Sequence, residues 1–387
     1  MKIAMIGQRG VPASFGGVER HVEEIGSRLA AEGHEVVVFC RKGYGDVELT
    51  SYEGMRLVHQ QTVDSKHLES FVASAAATMG TVGRHFDIVH FHAVGPGLFS
   101  PLARLCSGAK VVQTIHGFDA ERVKWGRGAS TLLRAGTWLS ARVPDATIVV
   151  SGALQEAYRQ RYGRDTIHIV NGVSEPVHRP ADLITQRWGL TRGSYVLAVG
   201  RLVPEKAPEV LLRAFHDVPG DVRLVIAGGS SHTDEYVDEL RALAADDPRV
   251  ILAGYVYGDA LQELYSNAAL FAIPSLLEGL PLSLLEAISY GRSVVASDIP
   301  PHVEVLQTSG PGARLVPTGD IDALAKAIDE ALESPSGPEM ERAEALSKRV
   351  RSEYTWERAA KDTAALYEQL LADRRTRMAR RWQRLTV

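Results

Sequence analysis

Short runs of β-branched and apolar residues recur along this chain, each followed by a longer stretch with helical spacing. KIAMIG, EVVVFC, DIVHFH, VVQTIH, ATIVV and IHIV occupy the first part, and YVLAVG, VRLVIAG, VILAGY, LFAIPS, SVVASD and ARLVP repeat the habit in the second. A strand apolar on both faces must be covered on both faces, and its parallel neighbour is reached only through a crossover. The rhythm therefore predicts an α/β fold with two doubly wound, Rossmann-like domains. At 387 residues the chain is long for one hydrophobic core, which agrees. NGVSEPVHRPADLITQRWGL interrupts the pattern with prolines and polar residues, so the boundary is expected near residue 180. The expected division is 1–180, 181–365, and 366–387 as a C-terminal helix and basic tail. A last helical stretch runs from about Trp356 to Leu371, and in two-lobed enzymes such a helix commonly returns to the first lobe.

A formal charge of −4 gives no basic field, so nucleic acid is not an expected partner. Cys40 and Cys106 fit no zinc or redox spacing and read as free buried thiols of a cytosolic protein. MKIAMIGQRG runs straight into a strand without the features of a signal peptide. No run reaches the roughly 20 apolar residues that span a bilayer. The expected location is the cytoplasm, with any membrane contact peripheral, at the inner face of the cell membrane.

Open parallel sheets bind ligands beyond the C-terminal ends of their strands. After the first strand, GQRGVPASFGGVERHVEEI places Gly7, Gly10, Gly16 and Gly17 before an amphipathic helix. Glycine lets backbone N–H groups approach an anion, and the helix N-terminus favours negative charge. The spacing is neither G-x-G-x-x-G nor Walker A, so an ordinary tight loop stands beside a phosphate site. VGRLVPEKAPEVLLRAF puts Arg201 and Lys206 at another strand end, where two cations neutralise a diphosphate or remain solvated. SLLEGLPLSLLEAISYGRSVVASD carries Glu278 and Glu286 eight positions apart. Along a helix that spacing is ~80° of rotation and ~12 Å of rise, so the pair suits two separated parts of an elongated ligand rather than one metal or one proton. EGLPLS should turn from LFAIPS into the helix, with Pro281 in its first turn. Glu278 can then accept from hydroxyls and Glu286 from a ribose diol, unless Glu286 faces solvent.

Taken in order, the glycine loop at 16–17, TIHG at 114–117, NGV at 171–173, GRLVPEK at 200–206, the Glu-seven-residues-Glu pattern and YTWE at 354–357 resemble the retaining, nucleotide-sugar-dependent glycosyltransferases of family 4. The resemblance covers nearly the whole chain and implies the GT-B fold, two such domains facing across a cleft. GQRGVPASFGGVERHVEEI with VKWGRG is similar to a bacterial branch that includes polysaccharide rhamnosyltransferases. It implies that Arg201 and Lys206 bind the diphosphate, Glu286 the ribose, Glu278 the donor sugar's hydroxyls, and Gly16 and Gly17 the phosphate. Gly279, Leu280, Pro281 and Leu282 join the donor-binding set, and His116 lies beside the transferred sugar. The first domain is then the acceptor side. The implied donor is a nucleotide-diphosphate sugar, with no cofactor and no metal, and the acceptor is a sugar, lipid-linked or small-molecule hydroxyl.

Other readings stay open. His90 and His92 share one strand face and, with His116, invite a metal site, although Asp87 should point to the opposite face and Asp119 is only a loop candidate. A nucleotide-sugar epimerase or hydrolase shares the fold. A non-catalytic glycan-binding protein leaves Arg201, Lys206 and Glu286 without a purpose. The tail interleaves Arg374, Arg375, Arg377, Arg380, Arg381 and Arg384 with Met378, Trp382 and Leu385, as an interfacial amphipathic helix does, or a packing helix with a solvated rim.

Overall fold

The structure, a computed structural model, describes residues 1–14, 16–61, 69–117, 127–230, 233–333 and 337–385, without the side chains of 127–130 and 375–385. Asp119, most of VKWGRG and the tail side chains beyond Arg374 lie outside the described residues. The chain forms two compact units: one takes the described residues up to Gly172 and those from Trp356 on, the other Val173–Thr355.

In the first unit the strands are β1 (Lys2–Ile6), β2 (Glu35–Arg41), β3 (Ser51–Tyr52), β4 (Met55–Gln60), β5 (Ile88–His92), β6 (Lys110–Ile115), β7 (Ala146–Val149) and β8 (Ile167–His168). They lie in the order β3-β4-β2-β1-β5-β6-β7-β8, parallel except for the β3–β4 pair. Ala4, Ile6, Val37, Val89, Phe91 and Val111 pack one face of the core. The helix Gly17–Ala31 buries Val22, Ile25 and Leu29, spaced three and four apart as an amphipathic stripe requires. Strand order reverses between β1 and β5, which opens the crevice where such sheets bind ligands. Gly7 sits there at φ 124°, and a Cβ on it would lie 2.3 Å from the His92 carbonyl oxygen, so only glycine fits.

The C-terminal helix Trp356–Leu385 belongs to this first unit. Trp356, Ala359, Ala360, Thr363 and Tyr367 are buried at helical spacing. The Tyr367 hydroxyl lies 2.6 Å from His90 Nδ1, and Arg28 pairs with Glu357 at 2.7 Å. Residues 356–365, placed by sequence in the second domain, therefore pack with the first.

The second unit contains β9 (Tyr195–Val199), β10 (Arg223–Ala227), β11 (Val250–Gly254), β12 (Leu270–Ile273), β13 (Ser293–Ser297) and β14 (Ala313–Val316). The order is β11-β10-β9-β12-β13-β14, all parallel, with the reversal between β9 and β12. Val196, Leu224, Leu270 and Val295 meet Leu211, Phe215, Leu324 and Ile328 in its core.

Three expectations need correction. The units divide between Gly172 and Val173 rather than near 180, because Val173 N donates to Tyr354 O at 2.9 Å and Arg179 reaches Gln262 and Asp259. A segment that reads as linker is fastened by polar contacts. Cys40 is a buried thiol, but Cys106 is exposed at the end of the helix Ser100–Cys106. The last helix continues well past Leu371. Among the described residues no helix is long and apolar enough to cross a membrane.

Candidate active site

In the second unit the chain leaves β9 through Gly200 and Arg201, and Lys206 ends a short 3-10 turn, Pro204–Lys206. It leaves β12 through Pro274 and Ser275, passes Glu278, and enters the helix Leu282–Ser289. Leu276 N and Leu277 N both donate to the Glu205 carbonyl, at 2.9 and 3.3 Å, which ties the two loops together. Arg201, Lys206 and Glu278 are thus brought to one strand-order reversal.

Lys206 Nζ donates to Glu278 Oε1, and Ser275 Oγ donates to the same oxygen at 2.8 Å. Burial alone would raise the Glu278 pKa, but the Lys206 charge, helped by the hydrogen bonds from Lys206 and Ser275, holds it below the ordinary carboxylate range. The carboxylate stays ionised. Behind it Ser297 Oγ donates to the Ser275 carbonyl, and the buried His302 sets Nδ1 2.9 Å from Ser297 O. Burial drives the His302 pKa down to about 4, so the ring is neutral.

Glu286 lies half-buried on the helix and accepts from the Tyr265 hydroxyl at 2.8 Å, while the Tyr265 ring stacks on Tyr290. The two glutamates therefore have separate partners and do not converge. Glu278 sits on the loop, so the rotation computed for one continuous helix does not apply. Pro281 caps the helix with φ −75° and ψ 114°, and Leu282 is its first residue, one position later than predicted. Gly200, Arg201, Lys206, Ile273 and Ser275 line an open cleft whose floor is apolar.

In the first unit Gly16 caps the helix Gly17–Ala31 at φ 101°, and a Cβ there would lie 2.1 Å from Glu19 Oε2. Arg9 N donates to Glu19 Oε1 at 3.0 Å, and Ala13 N to Glu23 Oε2 at 2.6 Å. Carboxylates thus occupy the helix start that the sequence offered to phosphate, and an anion at Gly16 and Gly17 must displace Glu19. A few residues on, His21 meets His92 and His116, with ring centroids 5.4 and 4.7 Å away. One nitrogen from each of the three lies within 4.8 Å of the others, and His92 Nδ1 is 3.3 Å from His116 Nε2. These three could hold a metal; His90 could not, since Tyr367 and Thr114 engage both its nitrogens. Asp87 accepts from Lys2 N at 2.8 Å.

Sequence reasoning missed His21, Tyr265, Ser275 and His302. His21 was within reach, because it falls four residues before Ile25 on the buried stripe of its helix. Asn171, in the NGV motif, holds His21 Nδ1 at 2.9 Å.

Burial lowers the pKa of His21 to about 4 and of His90 to about 3, and pushes His92 and His116 well down. The unfolded chain keeps ordinary histidine values near 6.5. Below about pH 6.5 the unfolded chain takes up protons that the folded one refuses, so stability falls as pH drops, by roughly 1.4 kcal/mol per pH unit for each histidine. The urea midpoint should fall between about pH 7 and pH 5.5, and His90→Gln should reduce that slope by about one proton. Equal slopes for wild type and variant would show that His90 does not carry the linkage.

Residues 15–175 match Glycosyltransferase Family 4, and residues 183–353 match Glycosyl transferases group 1. The first match falls almost wholly within the first unit and the second wholly within the second. A D-inositol 3-phosphate glycosyltransferase of Acidothermus cellulolyticus is 29% identical over 95% of this chain and 88% of its own length. The sucrose-phosphate synthase structure from Thermosynechococcus elongatus superposes with a TM-score of 0.81 at 24% identity, covering 96% of this chain and 99% of that one. HepE from Anabaena, in complex with UDP-glucose, gives 0.79 at 20% identity over 95% and 100%. The fold is GT-B, and Arg201, Lys206, Glu278 and Glu286 all fall within the residues that match the group 1 description.

Proposed function

We propose that this glycosyltransferase moves a sugar from a nucleotide-diphosphate donor to an acceptor hydroxyl with retention of anomeric configuration. The observation that carries the reading is the β9–β12 reversal, where Arg201 and Lys206 line one cleft and Lys206 pairs with Glu278, a carboxylate held ionised. Two cations match a diphosphate and an ionised carboxylate matches sugar hydroxyls. HepE, a neighbour in fold, binds UDP-glucose at 20% identity, which supports a nucleotide sugar as donor class.

The chemistry follows from these groups. Arg201 and Lys206 stabilise the charge that develops on the departing diphosphate. Glu278 orients the transferred sugar. The acceptor attacks on the face from which the diphosphate leaves, and a diphosphate oxygen takes the acceptor's proton. Glu286, aligned by Tyr265, holds the ribose. The biological reading is bacterial glycan or glycosylated-metabolite synthesis in the cytoplasm, the polysaccharide rhamnosyltransferase branch included.

A thermal-shift screen of nucleotide sugars followed by product analysis tests this. The expected product is a glycoside with the donor's anomeric configuration, formed at an undiminished rate in EDTA. An inverted product overturns retention, free sugar without transfer marks a hydrolase, and an altered donor marks an epimerase. Loss in EDTA with rescue by one divalent ion would make His21, His92 and His116 ligands.

A further inference from the structure

The first unit has a small pocket at the C-terminal ends of β1, β2 and β4. None of the three clustered histidines lines it.

Arg41, the last residue of β2, lines this cavity and is half-buried. Its Nη2 donates to Ser70 Oγ at 3.0 Å and reaches Gly7 O at 3.5 Å. Among the described residues it forms no ion pair. Desolvation weighs most on its charge and the nearby Arg9 adds repulsion, with Glu69 and Glu19 only partly opposing. A guanidinium has five donors in a planar fork, suited to bidentate recognition of a phosphate or carboxylate. Among the described residues most of that fork has no protein acceptor.

Gln8 stands beside it, 1% exposed. Its Nε2 donates to Met5 O at 3.3 Å and Phe39 O at 3.1 Å, which fixes the amide orientation. Oε1 then has no hydrogen-bond partner among the described residues. A buried acceptor without a donor is destabilising, and a ligand hydroxyl removes that cost. The cavity therefore offers a fork for an anion and an acceptor for a hydroxyl next to it.

We infer that Arg41 and Gln8 form an acceptor subsite for an anionic group carried beside a free hydroxyl, as in a sugar or polyol phosphate or a lipid-linked sugar diphosphate. The inference rests on the glycosyltransferase reading and names the acceptor's chemical class. Arg41 anchors the anion by charge-assisted hydrogen bonds, and Gln8 Oε1 accepts from the adjacent hydroxyl.

Calorimetric titration of the full chain with inorganic phosphate tests the site without turnover. Wild type should bind one phosphate at Arg41 and another at the diphosphate grip. Arg41→Met should lose the first and Lys206→Ala the second, each weakened about tenfold or more. If Arg41→Met fails to fold, Arg41→Lys keeps the charge, loses the fork and should still weaken the first phosphate measurably. Unchanged phosphate binding in a folded Arg41 variant overturns the subsite. In transfer assays, soluble sugar phosphates are used without lipid, whereas polyprenyl diphosphate sugars need micelles, which separates the two sources. In either arm Arg41→Met should raise acceptor KM about tenfold with donor KM unchanged. Equal acceptor KM in wild type and variant, or neutral sugars used as well as anionic ones, also overturns it. Because phosphate binding is read apart from turnover, failure of the transferase reading and failure of this site are distinguishable.

Discussion

Lys206→Ala and Arg201→Ala should each cut turnover by about 10²–10³-fold, the usual effect of removing one preorganised donor from a developing anion. Both should also weaken binding of the nucleoside diphosphate, measured by calorimetry. The two differ in stability. Lys206 Nζ donates to Glu278, whose side chain is only 9% exposed, so its removal leaves a buried carboxylate unpaired at a cost of about 3 kcal/mol or more. Arg201→Ala keeps that pair. The double variant Lys206→Met with Glu278→Gln should recover stability and remain inactive, which separates packing from chemistry. The linkage has a definite sign: the folded Glu278 pKa is lowered, so its contribution is present above the ordinary carboxylate range and is lost as pH falls through the lowered value. Undiminished diphosphate affinity in both single variants would remove the central assignment.

The sheets were legible because every parallel strand must be covered on both faces, which writes runs such as YVLAVG and LFAIPS into the chain. Arg201, Lys206 and Glu278 were legible for a related reason: each follows a strand, where open sheets place ligands. The partners of these residues were not. Ser275 and His302 reach Glu278 through side-chain contacts from two strand ends and a separate helix, and no spacing records that. The glycine loop looked like an anion site because its glycines suit one. Only coordinates reveal that Glu19 folds back over Gly16. The domain boundary was misplaced because Pro176 and Pro180 mark irregular backbone, whereas the contacts of Arg179 that assign it to the second unit lie more than 70 residues away.

Glu278→Gln and Glu286→Gln should give different kinetic signatures. Glu286 takes its hydrogen bond from Tyr265, on the helix Gly258–Asn267, whereas Glu278 belongs to the Lys206 cluster at the strand reversal. A ribose diol is held alike in the ground and transition states, so Glu286→Gln should raise donor KM and leave kcat nearly unchanged. In the proposed function Glu278 meets the sugar whose charge and shape change during transfer, and the Lys206 charge keeps it ionised against its burial. Its neutral isostere should lower kcat by about 10²-fold or more, with a smaller change in KM. Glu278→Gln also removes half of a buried pair, so kinetics should be compared at a temperature where both variants keep the wild-type circular dichroism. If both variants raise donor KM alike and leave kcat intact, Glu278 does not touch the reacting sugar. The cluster around it would then serve only to hold the diphosphate.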